Sequence, residues 1–149
     1  MNRYVILGGG VAGRRAAEVI RKRDVAAEVV IVDEQEEAFY YRPMLGELLA
    51  GKLGPEQIID RDKERLSQLG VKVLSGTRVA SLDPKAQEVF LGSGERLSFD
   101  RALIASGMRT EKIAGDDGTG RGIAYLDTLP EALHMASLLG SARNAVVYG

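Results

Sequence analysis

The residues whose types and spacing can do chemistry lie close to the N-terminus. Gly8-Gly9-Gly10-Val11-Ala12-Gly13 fits the pattern G-x-G-x-x-G. In that pattern Gly8 allows a tight turn, Gly10 lets a pyrophosphate approach the backbone, and Gly13 lets a helix pack closely on a strand. Val11 and Ala12 open the helix, where free N–H groups bind an anion. The helix dipole adds about 0.3–1 kcal/mol, and up to about 2 when the site is partly buried. A glycine turn of this kind is common by itself. Here it follows a strand-like run, opens a helical pattern, and meets Asp33 at about the 20-residue spacing expected of an acid that holds an adenosine ribose. Asp33 directly follows the apolar run, and the adjacent Glu34 can substitute for it. An acid at this place disfavours a 2′-phosphate, so NAD- or FAD-type adenosine is expected over NADP.

Other candidates read as ordinary structure. Arg14 and Arg15 could help hold phosphate, but they fall on an uninterrupted polar helix arc and are expected to form a solvated face. Glu36 and Glu37 read as solvated loop, and His134 as a surface or packing residue of a helix. Gly115-Asp116-Asp117-Gly118-Thr119-Gly120 would repel phosphate through its aspartates and is expected to be a linker. No G-x-S-x-G is present, so Ser-His-Asp catalysis is not supported. With no cysteine and one histidine, disulfides, a thiolate nucleophile and Cys- or His-rich metal sites are excluded for this stretch. No residue is assigned a catalytic role.

The elements that must position these residues can be read from the hydrophobic pattern. Tyr4–Leu7 is a strand, Val11–Arg23 a helix, and Glu28–Val32 a strand buried on both faces, which together make a βαβ unit. In the helix, Ala12, Gly13, Ala16, Ala17, Val19 and Ile20 form the expected inner arc. An acidic and aromatic loop leads to a short helix over Met44–Ala50, a helix start at Pro55, a helix over Asp60–Leu69 closed by Gly70, and a strand at Val71–Leu74. Thr77–Leu82, Glu88–Leu91 and Arg96–Phe99 are spaced as a small antiparallel meander, and Ala102–Ala105 as a buried strand. Leu129–Leu139 is an amphipathic helix opened by Thr128 and Pro130, and Asn144–Gly149 resembles the first strand arriving at its glycine. The expected fold is α/β, a parallel sheet with helices on its faces plus a small antiparallel β-meander.

Four segments in order carry a family resemblance: Tyr4–Asp33; Tyr40-Tyr41-Arg42-Pro43-Met44-Leu45; Gly76-Thr77-Arg78-Val79 with Leu82-Asp83-Pro84; and Gly94–Gly107. Together they resemble the N-terminal part of the FAD-dependent pyridine nucleotide-disulfide oxidoreductases, nearest the branch of NADH:rubredoxin reductases, ferredoxin reductases and nitrite reductase flavin domains. The resemblance implies a Rossmann-like FAD/NAD(P)-binding fold. It implies that Gly8, Gly10 and Gly13 hold the FAD pyrophosphate, Asp33 or Glu34 the ribose, and the Val79 backbone the adenine. Arg42 and Pro43 would lie near the pyrophosphate and isoalloxazine, and Ala105-Ser106-Gly107 beside the FAD, with Arg109 following. Ser106 replaces the family's threonine and keeps its hydroxyl. Glu47 stands where ferredoxin reductases often place a lysine, so that contact is not carried over. The family's Cys-x4-Cys is absent, which excludes thiol–disulfide chemistry here.

On this resemblance residues 1–112 are an incomplete FAD-binding domain, 113–126 a linker, and 127–149 the start of an NAD(P)H-binding domain. The intact protein would pass electrons from NAD(P)H through FAD to an acceptor of unidentified kind: a redox protein, a quinone, oxygen or a linked redox centre. The chain by itself is expected to bind FAD weakly and to turn over little. An alternative is a stand-alone NAD-binding regulatory module of the nucleotide-sensing kind, and a third a purely structural α/β domain. Against the alternative stands the meander, because an uninterrupted Rossmann unit continues with alternating helices and strands. A length of 149 residues suits one domain, and a net charge of −1 argues against a nucleic-acid partner. No apolar run is long enough for a secretory or membrane segment, so a cytoplasmic location is expected by default.

Overall fold

Two continuous apolar runs become adjacent central strands because each side chain row has a layer to bury against. The computed structural model describes residues 1–36, 39–59, 62–116 and 122–149. The chain divides into two compact units, Met1–Phe39 with Asp60–Gly107, and Tyr40–Ile59 with Met108–Gly149.

In the first unit, β1 (Arg3–Leu7), β2 (Glu28–Val32), β3 (Val71–Leu74) and β7 (Arg101–Ile104) form a parallel sheet in the order β3-β2-β1-β7. Tyr4 pairs with Val29 on one side and Arg101 on the other. The alternation of strand side chains separates two cores. Ile6, Val29 and Ile31 pack with Ala17, Phe39, Leu66 and Val71, on the side of α1 (Val11–Arg23) and α4 (Asp62–Gln68). Val5, Leu7, Val30 and Val32 pack with Val89 and Leu91 of a second sheet. That sheet is antiparallel, in the order β4-β5-β6, from β4 (Val79–Asp83), β5 (Glu88–Leu91) and β6 (Arg96–Ser98). Helix α1 and β2 keep the bounds their periodicity predicts, and Gly70 closes α4 at φ +73°. Asp60, Glu37 and Asp117–Gly120 lie outside the described residues.

The polar arc of α1 is not wholly solvated. Arg14 and Glu18 are each only 6% exposed. The Arg14 guanidinium lies 4.9 Å from the centroid of the Phe39 ring, and Glu18 receives Arg15 Nη1 at 2.8 Å and Arg65 Nη2 at 2.7 Å. The Phe39 ring against Arg14 and the Arg65 guanidinium on Glu18 cover this side, which a one-helix periodicity cannot reveal. Arg15, by contrast, is exposed as expected, and Ala12 of the predicted inner arc is exposed as well. Strand β7 also departs from expectation: it forms one edge of the parallel sheet, and Leu103 and Ile104 are 40% and 67% exposed.

In the second unit, a 3-10 turn (Arg42–Met44) runs into α2 (Leu45–Leu49), α3 (Pro55–Ile58) follows, and α5 spans Leu129–Leu139. Tyr40, Leu45, Leu48, Ile58, Leu129 and Ala132 make its core. Helix α5 begins with a reciprocal cap: Thr128 N–H donates to Glu131 Oε2 at 2.9 Å while Thr128 Oγ1 accepts from Glu131 N–H at 3.4 Å. The predicted strand over Asn144–Gly149 is not formed; Val146, Val147 and Tyr148 are about nine-tenths exposed and pair with no strand among the described residues. An isolated apolar run has no ladder partner here, and propensity alone does not make a strand. No helix among the described residues is long and apolar enough to cross a membrane.

Candidate dinucleotide-binding site

Parallel strands end together, so the loops that leave them gather at one edge of the sheet. Gly8 N–H donates to Val32 O at 2.8 Å and Ala105 N–H to Leu7 O at 2.8 Å, which ties the end of β1 to the ends of β2 and β7. The glycine turn, Asp33 and the Ala105-Ser106-Gly107 segment therefore leave the sheet side by side.

Within the turn each glycine meets a different neighbour. Gly8 has φ +110°, and a Cβ there would collide with the Ala105 carbonyl. A Cβ at Gly13 would collide with the Gly8 carbonyl, so this glycine brings α1 onto the turn. Gly10 is different in kind. It is the N-cap of the 13-residue α1, at φ −65° and ψ −175°, with no side-chain cap, and nothing lies within 4 Å of where its Cβ would be. The second glycine thus leaves open space in front of the first helical N–H groups, the cradle that an anion requires. Val11 is 71% exposed beside it.

Asp33 is fixed by its backbone. Its N–H donates to Leu74 O at 2.9 Å and its carbonyl accepts from Thr77 N–H at 2.8 Å. Oδ1 accepts from Gln35 N–H at 3.2 Å, while Oδ2 stands against Gly9. Asp33 is half-buried and Glu34 exposed. Val79 opens β4 and packs on the β1–β2 core rather than on the glycine turn. The structure adds two residues to this corner that the motif leaves out: Gly9, whose Cβ position is met by Asp33, and buried Phe39, whose Cε1 lies 2.6 Å from that same position. An aromatic run announces Phe39-Tyr40-Tyr41, but only packing brings Phe39 to this corner, buries Tyr40 in the second unit's core and leaves Tyr41 exposed.

Arg42, Pro43 and Arg109 belong to the second unit. Arg42 and Pro43 are exposed on the 3-10 turn, with Arg42 Nη1 bonded to Asp127 Oδ1 at 2.7 Å. Arg109 is exposed too. In the same unit Tyr125 Oη donates to Asp116 Oδ2 at 2.8 Å and accepts from Ile113 N–H at 3.1 Å. Desolvation, then the bond to Asp116, pushes this phenol above the usual tyrosine value. It lines a cleft of about 300 Å³ with Lys112, Glu131 and the exposed His134.

This arrangement, a parallel sheet, an antiparallel layer on one face and a glycine cradle at the strand ends, can be compared with known proteins. The family described as pyridine nucleotide-disulphide oxidoreductase matches residues 2–149. The chain belongs to that family. It is 31% identical over 147 residues to the ferredoxin–NAD(+) reductase component of the anthranilate 1,2-dioxygenase system of Burkholderia cepacia, covering 98% of this chain and 36% of that protein. It is 30% identical over 113 residues to the NADH-rubredoxin oxidoreductase of Clostridium acetobutylicum, covering 74% of this chain and 29% of that one. Among solved structures, the covalent putidaredoxin reductase–putidaredoxin complex matches with a TM-score of 0.84 and 27% identity, over 93% of this chain and 34% of that chain. The chain spans about a third of the length of the curated relatives it matches.

Proposed function

We propose that these residues are the FAD-binding part of a flavoprotein that passes electrons from NAD(P)H through FAD to a small redox protein. The observation that carries the reading is Gly10: an uncapped helix N-terminus behind a position with no atom within 4 Å, beside an acid fixed at the end of β2. These residues fit the adenosine and pyrophosphate half of a dinucleotide. The N–H groups of Val11, Ala12 and Gly13 would take the pyrophosphate, and Asp33, through the oxygen that faces Gly9, the adenosine ribose. Asp33 is preferred over Glu34 because its backbone is fixed on both sides and its side chain is half-buried. Ala105, Ser106 and Gly107 would pass beside the cofactor, with the Val79 backbone toward the adenine. Arg42, Pro43 and Arg109, in the second unit, stand as cofactor-binding candidates on the resemblance alone.

When bound, FAD supplies the two-electron and one-electron chemistry that lets a hydride donor reduce a one-electron acceptor. The residues of this chain bind and orient; none of them is assigned a bond-breaking role. Relatives named for ferredoxin, rubredoxin and putidaredoxin support a redox protein as the acceptor. On this reading residues 1–112 serve FAD, 113–126 connect, and 127–149 begin the NAD(P)H-binding part. By themselves the 149 residues are expected to bind FAD weakly and to turn over little. The antiparallel β4–β6 layer weighs against the alternative of a stand-alone NAD-sensing module. Calorimetric titration of the chain with FAD and with NAD tests the choice. Preference for FAD supports the reading, and NAD binding without flavin binding refutes it.

A further inference from the structure

The place where a Cβ would stand on Gly9 is already taken by two side chains. Asp33 Oδ2 lies against that point with its Cγ 3.1 Å away, and Phe39 Cε1 lies 2.6 Å from it. The carboxyl carbon and the ring edge are therefore within about 6 Å of each other, beside a buried glycine. All three residues belong to the first unit. Phe39 is 7% exposed, and the Arg14 guanidinium lies over its face, 4.9 Å from the ring centroid. The ring shares a buried cluster with Ile6, Ala17, Val29 and Ile31, so the core fixes it without help from Asp33. Arg14 N–H donates to Gly10 O at 3.0 Å, which ties the residue covering the ring to the glycine turn. The Asp33 side chain is held less firmly. Its backbone is bonded on both sides, but those bonds leave the carboxylate able to turn about χ2, a torsion with broad minima. Oδ1 accepts from Gln35 N–H at 3.2 Å, at the long end of the hydrogen-bond range. The direction of Oδ2 then depends on what is packed beside it, the Gly9 backbone and the edge of Phe39.

We propose that Phe39 is a positioning residue for the adenosine site: its ring edge, set by the core and by Arg14, fills the space that Gly9 leaves and keeps the Asp33 carboxylate turned to the ribose. The inference rests on the reading of Asp33 as the ribose-binding acid. Phe39 needs no contact with the nucleotide for this role. A carboxylate already held loses less freedom when it accepts the 2′-hydroxyl. A smaller side chain at position 39 gives the carboxylate room to turn into the place of the ring and away from the hydroxyl. A ring that merely filled the core would act differently, since its loss would lower stability and weaken every adenine nucleotide alike. Discrimination between ribose and deoxyribose separates the two roles.

The test is an amide-shift titration of the ¹⁵N-labelled chain with ADP and with 2′-deoxy-ADP, on the parent and on D33N, F39L and V71A. The parent is expected to prefer ADP by about tenfold, the worth of one hydrogen bond to a charged group. D33N should remove most of that preference. F39L, which stays apolar but lacks the ring edge, should lower it to about threefold or less, the equivalent of freeing one side chain. F39M takes its place should F39L fail to fold. V71A opens a cavity in the same buried cluster, at the other end of β3 from Leu74, whose carbonyl meets Asp33. It should lose stability yet keep the preference within about twofold of the parent. Equal weakening of both nucleotides by F39L, or no change in either, overturns the inference and spares Asp33 so long as D33N removes the preference. A V71A variant that lowers the preference as far as F39L makes Phe39 only a core residue and also overturns the inference. A parent that binds neither nucleotide, that shows no preference, or whose preference survives D33N overturns the ribose assignment and the inference with it.

Discussion

Gly10→Ser separates stability from binding at the one position where the two have opposite requirements. Gly10 is the N-cap of α1, at φ −65° and ψ −175°, a backbone conformation open to any residue, and a Cβ there meets nothing within 4 Å. The substitution therefore carries no steric cost in the folded chain. Serine is a better N-cap than glycine by a few tenths of a kcal/mol, because its hydroxyl accepts from the second or third helical N–H. For a chain of this size that is worth about 1 °C in Tm. Those same N–H groups, of Ala12 and Gly13, are the donors assigned to the pyrophosphate. A hydrogen bond to a charged group contributes about 1.5–3 kcal/mol, so occupying one donor should weaken FAD binding by about tenfold to a hundredfold. Thermal unfolding by circular dichroism and a flavin fluorescence titration of the same sample check both halves. A raised or unchanged Tm with weakened FAD binding is expected. A raised Tm with unchanged FAD affinity would refute the placement of the phosphates on α1.

Gly13→Ala should behave oppositely. Alanine gains helix propensity, yet its Cβ runs into the Gly8 carbonyl, so a net loss of about 1–3 kcal/mol is expected by urea unfolding, and a stabilised variant would refute the tight contact. Asp33→Asn should weaken FAD binding by about tenfold while Glu34→Gln changes it by less than about twofold, measured by calorimetry; the reverse order would transfer the ribose role to Glu34. For Tyr125, whose phenol is pushed above the usual tyrosine value by desolvation and by Asp116, the folded state favours the protonated form. Its contribution to stability is present in full below the ordinary tyrosine value and is lost as pH rises through the higher folded value. Alkaline absorbance titration should show a late-ionising phenol in the parent that is missing in Tyr125→Phe. Late ionisation that survives the substitution would assign the shift to another tyrosine.

Most of the framework was legible because it is local or periodic. The apolar run of β2, the 3.6-residue pattern of α1, Thr128 and Pro130 at the start of α5, and Gly70 at a helix end each act within a few residues. The spacing from Gly13 to Asp33 carried across one βαβ unit for the same reason, since strand and helix lengths fix it. Burial that depends on distant partners was hidden. Arg14 and Glu18 look solvated until Phe39 and Arg65 arrive from elsewhere in the chain. Ile104 looks buried until the sheet order makes its strand an edge. Val146–Tyr148 is apolar enough for a strand but has no ladder partner among the described residues. In the site, the backbone cradle could be read from glycines alone, whereas Gly9 and Phe39 needed the folded chain.

The central claim is that the N-terminus of α1 holds the pyrophosphate of FAD, and amide shift mapping tests it most directly. In a ¹⁵N-labelled chain titrated with FAD, the largest perturbations are expected at the amides of Val11, Ala12 and Gly13, with Asp33 following. ADP should reproduce that pattern, while FMN, which lacks the adenosine half, should not. Perturbations clustered away from these amides, or produced by FMN and absent with ADP, would contradict the account.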